Sequence, residues 1–324
     1  MKKILILPFF GLFNNYFPIW LESAKNNKNI DFLIITDVNW TFETPQNVTI
    51  VNRTFEDIKS DFERKLGFSI NLIHPYKLCD YKPYYGFLFE EFLEKYDFWG
   101  YCDCDLIFGN IENFLPESIF AKYDKIMRRG HLSFVRNTYE INRNFLKYDT
   151  YKIVLKSPCI YGLDESIFGF HYGFAGELLE QGYRFYENND IVGDIDFRCF
   201  PFHSLSQPEE KCIFHYQNGT LFMIRKEEYG YSRNEIMYAH LQKRKMEIDE
   251  GVDTTNYLII PNRFILYDES LLYSESFWQG ILTEKDGYFN YKNEKKETLK
   301  RDLLRLFFEP HKIKSIKYRI LGEK

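Results

Sequence analysis

Two aspartates separated by one cysteine are the strongest chemical signal in this sequence. Asp103 and Asp105 lie in the apolar, aromatic run FWGYCDCDLIF at residues 98–108. Residues i and i+2 of a strand point to the same face, so both carboxylates are expected to face one site. Burying them costs on the order of several kcal/mol unless a cation compensates, and Mg²⁺ or Mn²⁺ prefers oxygen ligands of this kind. The pair therefore predicts a divalent cation site, and a hydrated surface pair is the alternative.

The segments before the aspartates alternate between strand-like and helical patterns. An apolar run at residues 3–9 and FLIITDV at 32–38 predict buried parallel strands, and a capping box at Thr54 followed by Gly67 predicts the start and end of a helix. The segment at 83–96 predicts an amphipathic helix. Such alternation predicts βαβ units and a mainly parallel sheet, which binds ligands at the carboxyl ends of its strands.

Composition narrows the class of protein. The chain has 324 residues, 45% of them hydrophobic, and a net charge of −5, so we expect a globular protein with no nucleic-acid partner. Six cysteines without a CxxC pair predict reduced thiols in the cytoplasm. The opening MKKILILPFFGLF could pass for a secretory signal, but Pro8 interrupts it, which favours a first core strand. No GxGxxG or GxxxxGK[ST] motif occurs.

The segment WGYCDCDLIFGNI, with LCDYKPYYG and the opening ILPFFG before it, resembles bacterial capsule and lipopolysaccharide glycosyltransferases with a GT-A core. More distantly, it is similar to the glycogenin-like transferases, in which a DxD motif is followed by a distant metal-binding histidine. The resemblance covers about the first 250 residues. It implies an α/β fold of the GT-A type, with a Rossmann-like, mainly parallel sheet flanked by helices. The catalytic domain would span residues 1–250, and a C-terminal extension with a basic amphipathic helix would span 251–324.

The same resemblance implies an activity. A hexose, galactose or glucose, would pass from a UDP-sugar to an oligosaccharide or lipid-linked glycan acceptor with the help of Mn²⁺ or Mg²⁺. The metal ligands would be Asp103, Asp105 and a distant histidine. We favour His240 in YAHLQKRK, where Lys243 or Arg244, about one turn later, would contact the diphosphate. For His215 in FHYQNGT we favour a histidine without ligand duty. Contacts to the nucleotide sugar would come from Pro8, Phe9, Thr36, Asp37, Asp80, Lys82, Asp103, His131, Ser133, Lys243 and Arg244. For Asp37, Asp80 and Lys82 the alternative is a structural role, in a turn for Asp37 and at a helix start for Asp80 and Lys82.

A second acidic pair, Asp164 and Glu165, lies where such enzymes carry a base or an acceptor-positioning carboxylate. We expect these two residues to activate the acceptor; a solvated loop pair is the alternative. Retaining and inverting chemistry both stay open.

Two further functions remain as alternatives for the whole chain, and two roles remain for its C-terminal segment. A nucleotidyltransferase also holds Mg²⁺ after a parallel strand, but it would carry a Gly-rich basic loop after the first strand, which ILPFFGLFNN does not provide. A non-catalytic carbohydrate-binding protein would use the abundant aromatic residues without metal. The basic C-terminal segment after residue 292 predicts either peripheral contact with an anionic membrane or a docked helix with a solvated charged face.

Overall fold

The computed structural model describes residues 1–163, 173–204, 210–242, 244–289 and 295–300. Within these ranges the strands are β1 (Lys3–Pro8), β2 (Ile30–Thr36), β3 (Val48–Asn52), β4 (Phe98–Cys102), β5 (Leu106–Phe108), β6 (Lys125–Ile126), β7 (Leu132–Arg136), β8 (Phe185–Tyr186), β9 (Val192–Asp194), β10 (Phe202–His203), β11 (Lys211–Gln217), β12 (Thr220–Glu227), β13 (Gly230–Ile236), β14 (Tyr238–His240), β15 (Glu247–Ile248), β16 (Asn256–Ile260) and β17 (Arg263–Leu266). The α-helices are α1 (Phe17–Lys25), α2 (Phe55–Leu66), α3 (Tyr85–Leu88), α4 (Ile111–Phe114), α5 (Glu117–Lys122), α6 (Tyr139–Asn142), α7 (Thr150–Lys156), α8 (Gly173–Glu180) and α9 (Glu275–Leu282). Residues 295–300 are also helical. Short 3₁₀ helices cover Pro75–Tyr84, Glu90–Phe92, Asn144–Lys147 and Glu269–Tyr273.

The central sheet has the strand order β3-β2-β1-β4-β7-β6-β8. β1 pairs in parallel with both β2 and β4, and β2 pairs in parallel with β3, whereas β7 runs antiparallel to its neighbours β4 and β6. Residues 3–7 of β1 are all buried, as expected for a strand covered on both faces. The predicted α/β class with a mainly parallel central sheet is thereby confirmed.

Local sequence signals place α2 correctly. The Thr54 side chain accepts a hydrogen bond from the Asp57 backbone, and the Asp57 carboxylate accepts one from the Thr54 backbone. The helix ends at Gly67, whose φ of 76° is one that residues with a Cβ rarely adopt.

The helix predicted over residues 83–96 is wrong. The segment forms the end of a 3₁₀ helix, the single turn of α3 and a second 3₁₀ turn. None of residues 83–89 is exposed, so this half of the segment has no polar face of the kind that a surface helix needs.

A glycine in the middle of β4 allows this strand to lie close to its neighbour β7. A Cβ built on Gly100 would lie 2.1 Å from the Ser133 carbonyl oxygen of β7 and 2.8 Å from the Leu5 side chain of β1. Only glycine therefore lets β4 lie this close to β7, and β4 leads directly into Asp103.

The second sheet is built mainly of antiparallel strands, in the order β13-β12-β11-β16-β17-β15. β11 pairs with β16, with His215 opposite Leu258. Residues 256–266 thus share a sheet with strands that precede residue 250, and the division into 1–250 and 251–324 stays a prediction.

A three-stranded sheet, β5-β14-β9, joins these parts of the chain. β14 runs antiparallel to β5 and parallel to β9. Among the residues that the structure describes, no helix combines the length and apolar character needed to cross a bilayer.

Candidate metal centre

Asp103, Cys104 and Asp105 form the turn that joins β4 to β5. Hydrogen bonds from distant parts of the chain hold this turn. The Asp103 N–H donates to the His131 carbonyl at 3.0 Å, and the Trp20 indole N–H donates to the Asp103 carbonyl at 3.0 Å. The Asn14 amide donates to the Cys104 carbonyl at 3.0 Å. The two carboxylates therefore converge through a fixed turn at the carboxyl end of β4, and not through strand alternation as the sequence suggested.

The small sheet brings His240 to the aspartates. His240, the last residue of β14, lies opposite Leu106, which directly follows Asp105. One carboxylate oxygen each from Asp103 and Asp105 and one ring nitrogen of His240 lie within 4.8 Å of one another. The His240 Nε2 to Asp105 Oδ1 distance is 3.5 Å. The three residues proposed as metal ligands thus meet at one point.

Asp194, at the end of β9, also belongs to this centre, and sequence reasoning missed it. It is only 6% exposed. Its Oδ1 accepts hydrogen bonds from His240 Nδ1 at 2.9 Å and Gln242 Nε2 at 3.1 Å. Its Oδ2 lies 3.5 Å from His131 Nε2 and 3.6 Å from Arg129 Nη1. A lone aspartate in the three-residue strand Val-Gly-Asp carries no sequence signal that would have identified it.

The charges of the centre depend on one another. Burial alone would lower the pKa of the His240 imidazole, but the carboxylates of Asp105 and Asp194 raise it to about 10. Burial alone would raise the pKa of Asp194, but the neighbouring imidazoles of His131 and His240 hold it well below the usual aspartate range. The carboxylates of the centre thus stabilise positive charge on the neighbouring imidazole of His240.

Lys82 supplies a cation from the protein itself. Its Nζ donates to Asp103 Oδ1 at 2.7 Å and to the Gly130 carbonyl at 2.8 Å. Burial tends to raise the pKa of Asp103, and the charges of Lys82 and then His240 lower it. Lys82 therefore lies at the centre, as its predicted role beside phosphate requires, and that role stays a prediction.

The residues predicted to line a nucleoside pocket lie at the carboxyl ends of β1 and β2. Pro8 ends β1 opposite Ile35, and Thr36 ends β2. The Phe9 ring stacks on Phe13 with 4.2 Å between centroids, and Asp37 is exposed just beyond β2. Because β4 runs parallel to β1, these residues and Asp103 share one edge of the sheet. Nucleoside binding by Pro8, Phe9, Thr36 and Asp37 stays a prediction.

Asp80 does not face a ligand, contrary to the prediction. It is fully buried and pairs with the equally buried Lys77 at 2.6 Å. Its carboxylate also accepts the backbone N–H groups of residues 161–163. Its oxygens are therefore occupied by protein donors, and its role is to anchor this segment.

Ser133 and Arg244 are corrected for the same reason. The Ser133 hydroxyl is buried, donates to the Met127 carbonyl at 2.7 Å and receives a hydrogen bond from Lys125. The Arg244 guanidinium is buried and donates to the carbonyls of Phe200 at 2.8 Å and Asp196 at 3.0 Å. Because protein carbonyls occupy its guanidinium, the geometry contradicts the predicted contact of Arg244 with a diphosphate.

His131 belongs to the centre but is not placed to bind a sugar hydroxyl. It is 2% exposed, its ring stacks on His240 with 4.3 Å between centroids, and its Nδ1 lies 2.8 Å from the Tyr238 hydroxyl. Both ring nitrogens thus face protein groups. His131 thus contributes to the centre through its contacts with His240 and Asp194.

His215 is a core histidine, as favoured for it from the sequence. It is fully buried, its Nε2 lies 2.8 Å from Asn256 Oδ1, and its ring stacks on Tyr267 at 4.0 Å. Burial lowers the pKa of its imidazole. Asp164, Glu165 and Lys243 lie outside the described residues.

The residues present fit a divalent cation. Two carboxylates and one imidazole form a donor set that Mn²⁺ accepts and that Mg²⁺ can share with water. Neighbouring ligands of such an ion, at about 2.1 Å from it, lie about 3 Å from one another. The 3.5 Å between His240 Nε2 and Asp105 Oδ1 is close to that separation.

Several solved structures are similar to part of the chain. The galactosyltransferase LgtC, in complex with donor and acceptor sugar analogs, is 11% identical with a TM-score of 0.32, over 60% of this chain and 76% of LgtC. The glycosyltransferase GlyE of Streptococcus pneumoniae TIGR4 is 11% identical with a TM-score of 0.29, over 59% of this chain and 46% of GlyE. Mouse xyloside xylosyltransferase 1 is 7% identical with a TM-score of 0.30, over 60% of this chain and 88% of the mouse protein. These TM-scores are low, and the fold is defined by the strand order of the central sheet.

No curated protein sequence matches the chain. A family model does match it, over residues 5–268, which is most of its length. The chain therefore belongs to the family of unknown function DUF6625.

Proposed function

We propose that this protein is a metal-dependent glycosyltransferase. It transfers a hexose, galactose or glucose, from a UDP-sugar to an oligosaccharide or lipid-linked glycan acceptor in capsule or lipopolysaccharide biosynthesis. The single observation that carries the proposal is the meeting of Asp103, Asp105 and His240 within 4.8 Å at the carboxyl end of β4. Parallel sheets bind ligands at this edge.

The chemistry follows from the charges of these residues. Asp103, Asp105 and His240 would hold Mn²⁺ or Mg²⁺, which when bound neutralises the charge that develops on a departing diphosphate. Lys82, 2.7 Å from Asp103, adds a second positive charge beside the same group. Asp164 and Glu165 are proposed to activate the acceptor hydroxyl.

The proposed location is the cytoplasm, at the inner face of the cell membrane. The basic segment after residue 292 supports contact with anionic lipid, since each lysine or arginine near such a surface contributes about 1 kcal/mol. The glycan acceptor would then lie in or on the same membrane.

Thermal unfolding tests the proposal directly. The unfolding midpoint is measured with UDP, with Mn²⁺, with both and with neither. A ligand that binds only the folded state raises the midpoint, so we expect UDP to stabilise the protein much more when Mn²⁺ is present. Equal stabilisation by UDP with and without Mn²⁺ contradicts the metal-dependent mechanism, and stabilisation by glycans alone would favour a carbohydrate-binding protein.

Asp105→Asn provides the matching test of catalysis. The variant removes one negative ligand from a partly exposed turn, so we expect sugar transfer or UDP-sugar hydrolysis to be abolished while the fold is retained. Asp190→Asn, at an exposed aspartate in the loop before β9, is the matched control and should behave as wild type. Retained turnover in Asp105→Asn would remove the basis of the proposal.

A further inference from the structure

Four side-chain nitrogen atoms lie within 3.6 Å of the Asp194 carboxylate. His240 Nδ1 and Gln242 Nε2 donate to Oδ1, at 2.9 and 3.1 Å. His131 Nε2 and Arg129 Nη1 face Oδ2, at 3.5 and 3.6 Å. Because its two oxygens are held from opposite sides, the carboxylate cannot rotate without losing contacts to buried groups.

The backbone fixes the contact between Asp194 and His240. The two residues are paired across the parallel strands β9 and β14. Their side chains are therefore neighbours because of strand register, and no flexible loop separates them. On its other side β14 pairs with β5, where His240 lies opposite Leu106, directly after Asp105.

This arrangement determines which nitrogen of His240 is available. An ionised carboxylate only accepts hydrogen bonds, so the ring nitrogen that faces Asp194, Nδ1, must carry a proton. The other nitrogen, Nε2, then faces Asp105 Oδ1 at 3.5 Å. A neutral imidazole held in this way presents its Nε2 lone pair to the space between the aspartates.

We infer that Asp194 is a positioning residue of the metal centre: it holds His240 in the Nδ1-protonated tautomer and directs Nε2 at the divalent cation. The inference rests on the proposed cation site at Asp103, Asp105 and His240. Carboxylates that accept a hydrogen bond from a ligating histidine raise its basicity and fix its orientation. In this role Asp194 acts through His240 and is not one of the proposed cation ligands.

Asp194→Asn is the most direct variant, because it keeps the shape and removes the charge. Whichever way the amide turns, its NH₂ group faces donors, either His240 and Gln242 or His131 and Arg129. The affinity for Mn²⁺ is measured without substrate from the electron paramagnetic resonance signal of the free ion. We expect Asp194→Asn to bind Mn²⁺ about 10- to 100-fold more weakly than wild type.

Two further variants separate the possible outcomes. Asp190→Asn, a matched change in the same segment, should bind Mn²⁺ as wild type does, and Asp105→Asn should lose binding. Wild-type protein that does not bind Mn²⁺ overturns the proposed cation site itself. If wild type binds and Asp105→Asn does not, but Asp194→Asn equals wild type, the role of Asp194 is wrong and the cation site stands.

A measurement on the unaltered protein covers the case in which Asp194→Asn fails to fold. With ¹⁵N-labelled histidine and Mg²⁺ bound, long-range ¹H–¹⁵N correlation spectra report which ring nitrogen carries the proton. We expect the Nδ1-protonated form for the His240 signals, which are identified by their loss in His240→Asn. An Nε2-protonated ring in the Mg²⁺ complex contradicts the inference.

Discussion

At the scale of single residues, buried charges in this protein serve two separate purposes. Asp103, Asp105 and His240 converge beside a strand end where a ligand can reach them, and each keeps part of its surface exposed. Lys77 and Asp80 are instead completely enclosed and bind only protein groups. The sequence presents both sets as charged residues among aromatic neighbours, and only their partners distinguish them.

Removing the enclosed charge should affect stability. Asp80→Asn leaves the Lys77 ammonium buried without its counter-charge, so we expect a loss of about 3–5 kcal/mol in the free energy of unfolding, measured with urea. Asp149→Asn is the control, because Asp149 forms an exposed ion pair with Lys152 and its replacement should cost less than about 1 kcal/mol. Unchanged stability together with lost UDP binding would instead support the donor contact that the sequence suggested for Asp80.

Glu177 on α8 makes stability depend on pH. Burial is the main cause that raises the pKa of its carboxyl group from 4.5 to about 7; a hydrogen bond from Thr150 opposes this rise, and the charge of Glu180 adds to it. The folded protein therefore holds this proton more tightly than the unfolded chain, so the contribution of Glu177 is full below pH 4.5 and is lost as the pH rises to about 7.

Glu177→Gln should remove that dependence. We expect the variant and wild type to have similar unfolding free energies near pH 4.5, and the variant to be the more stable above pH 7, by on the order of 1.4 kcal/mol for each unit of pKa shift. Urea unfolding at several pH values measures the difference, with Glu228→Gln, at an exposed position, as the control. A difference that does not change with pH contradicts the assignment.

At the scale of elements, the site depends on how closely β4 and β7 approach. β4 leads into the turn with Asp103, and His131, whose carbonyl accepts the Asp103 N–H, directly precedes β7. The spacing of these two strands therefore sets the position of the turn. Gly100 makes that spacing possible.

Gly100→Ala should damage stability and metal binding together. The new Cβ would lie 2.1 Å from the Ser133 carbonyl oxygen, so β4 and β7 must separate, and we expect a loss of about 1–3 kcal/mol with weaker Mn²⁺ binding. Gly280→Ala on α9 is the control, because a Cβ there meets no atom within 4 Å and should stabilise the helix by up to about 1 kcal/mol. Wild-type Mn²⁺ affinity in Gly100→Ala would show that the turn does not depend on this contact.

At the scale of the whole molecule, the chain combines a mainly parallel sheet with a mainly antiparallel one, and the small sheet β5-β14-β9 connects them. Asp105 precedes β5, His240 ends β14 and Asp194 ends β9. The candidate centre thus lies where three distant parts of the chain meet.

The proposed membrane contact belongs to the same scale. A chain that ends at Lys296 lacks most of the basic terminal segment, so we expect it to bind anionic vesicles more weakly in a sedimentation assay. Neutral vesicles and the thermal unfolding midpoint serve as controls for nonspecific binding and folding. Undiminished association with anionic vesicles rejects membrane contact through this segment and favours a docked helix.

The sequence by itself determined the elements whose signals are local. The apolar run of β1, the capping box and terminal glycine of α2 and the aspartates beside β4 are properties of a few neighbouring residues, and so they could be identified without knowledge of the fold. Of the two histidines considered, His240 lies beside the aspartates, and His215 lies beside Asn256 in the core.

Only the tertiary structure decided what each charged side chain binds. Asp194, 46 residues from His240, lies in the centre because of strand pairing, whereas Asp80 and Arg244 bind backbone groups that are distant along the chain. The physical reason is that a buried charge is stabilised by whichever partners the fold brings within hydrogen-bonding distance. The partners of these residues lie tens of residues away along the chain, so no local pattern records them.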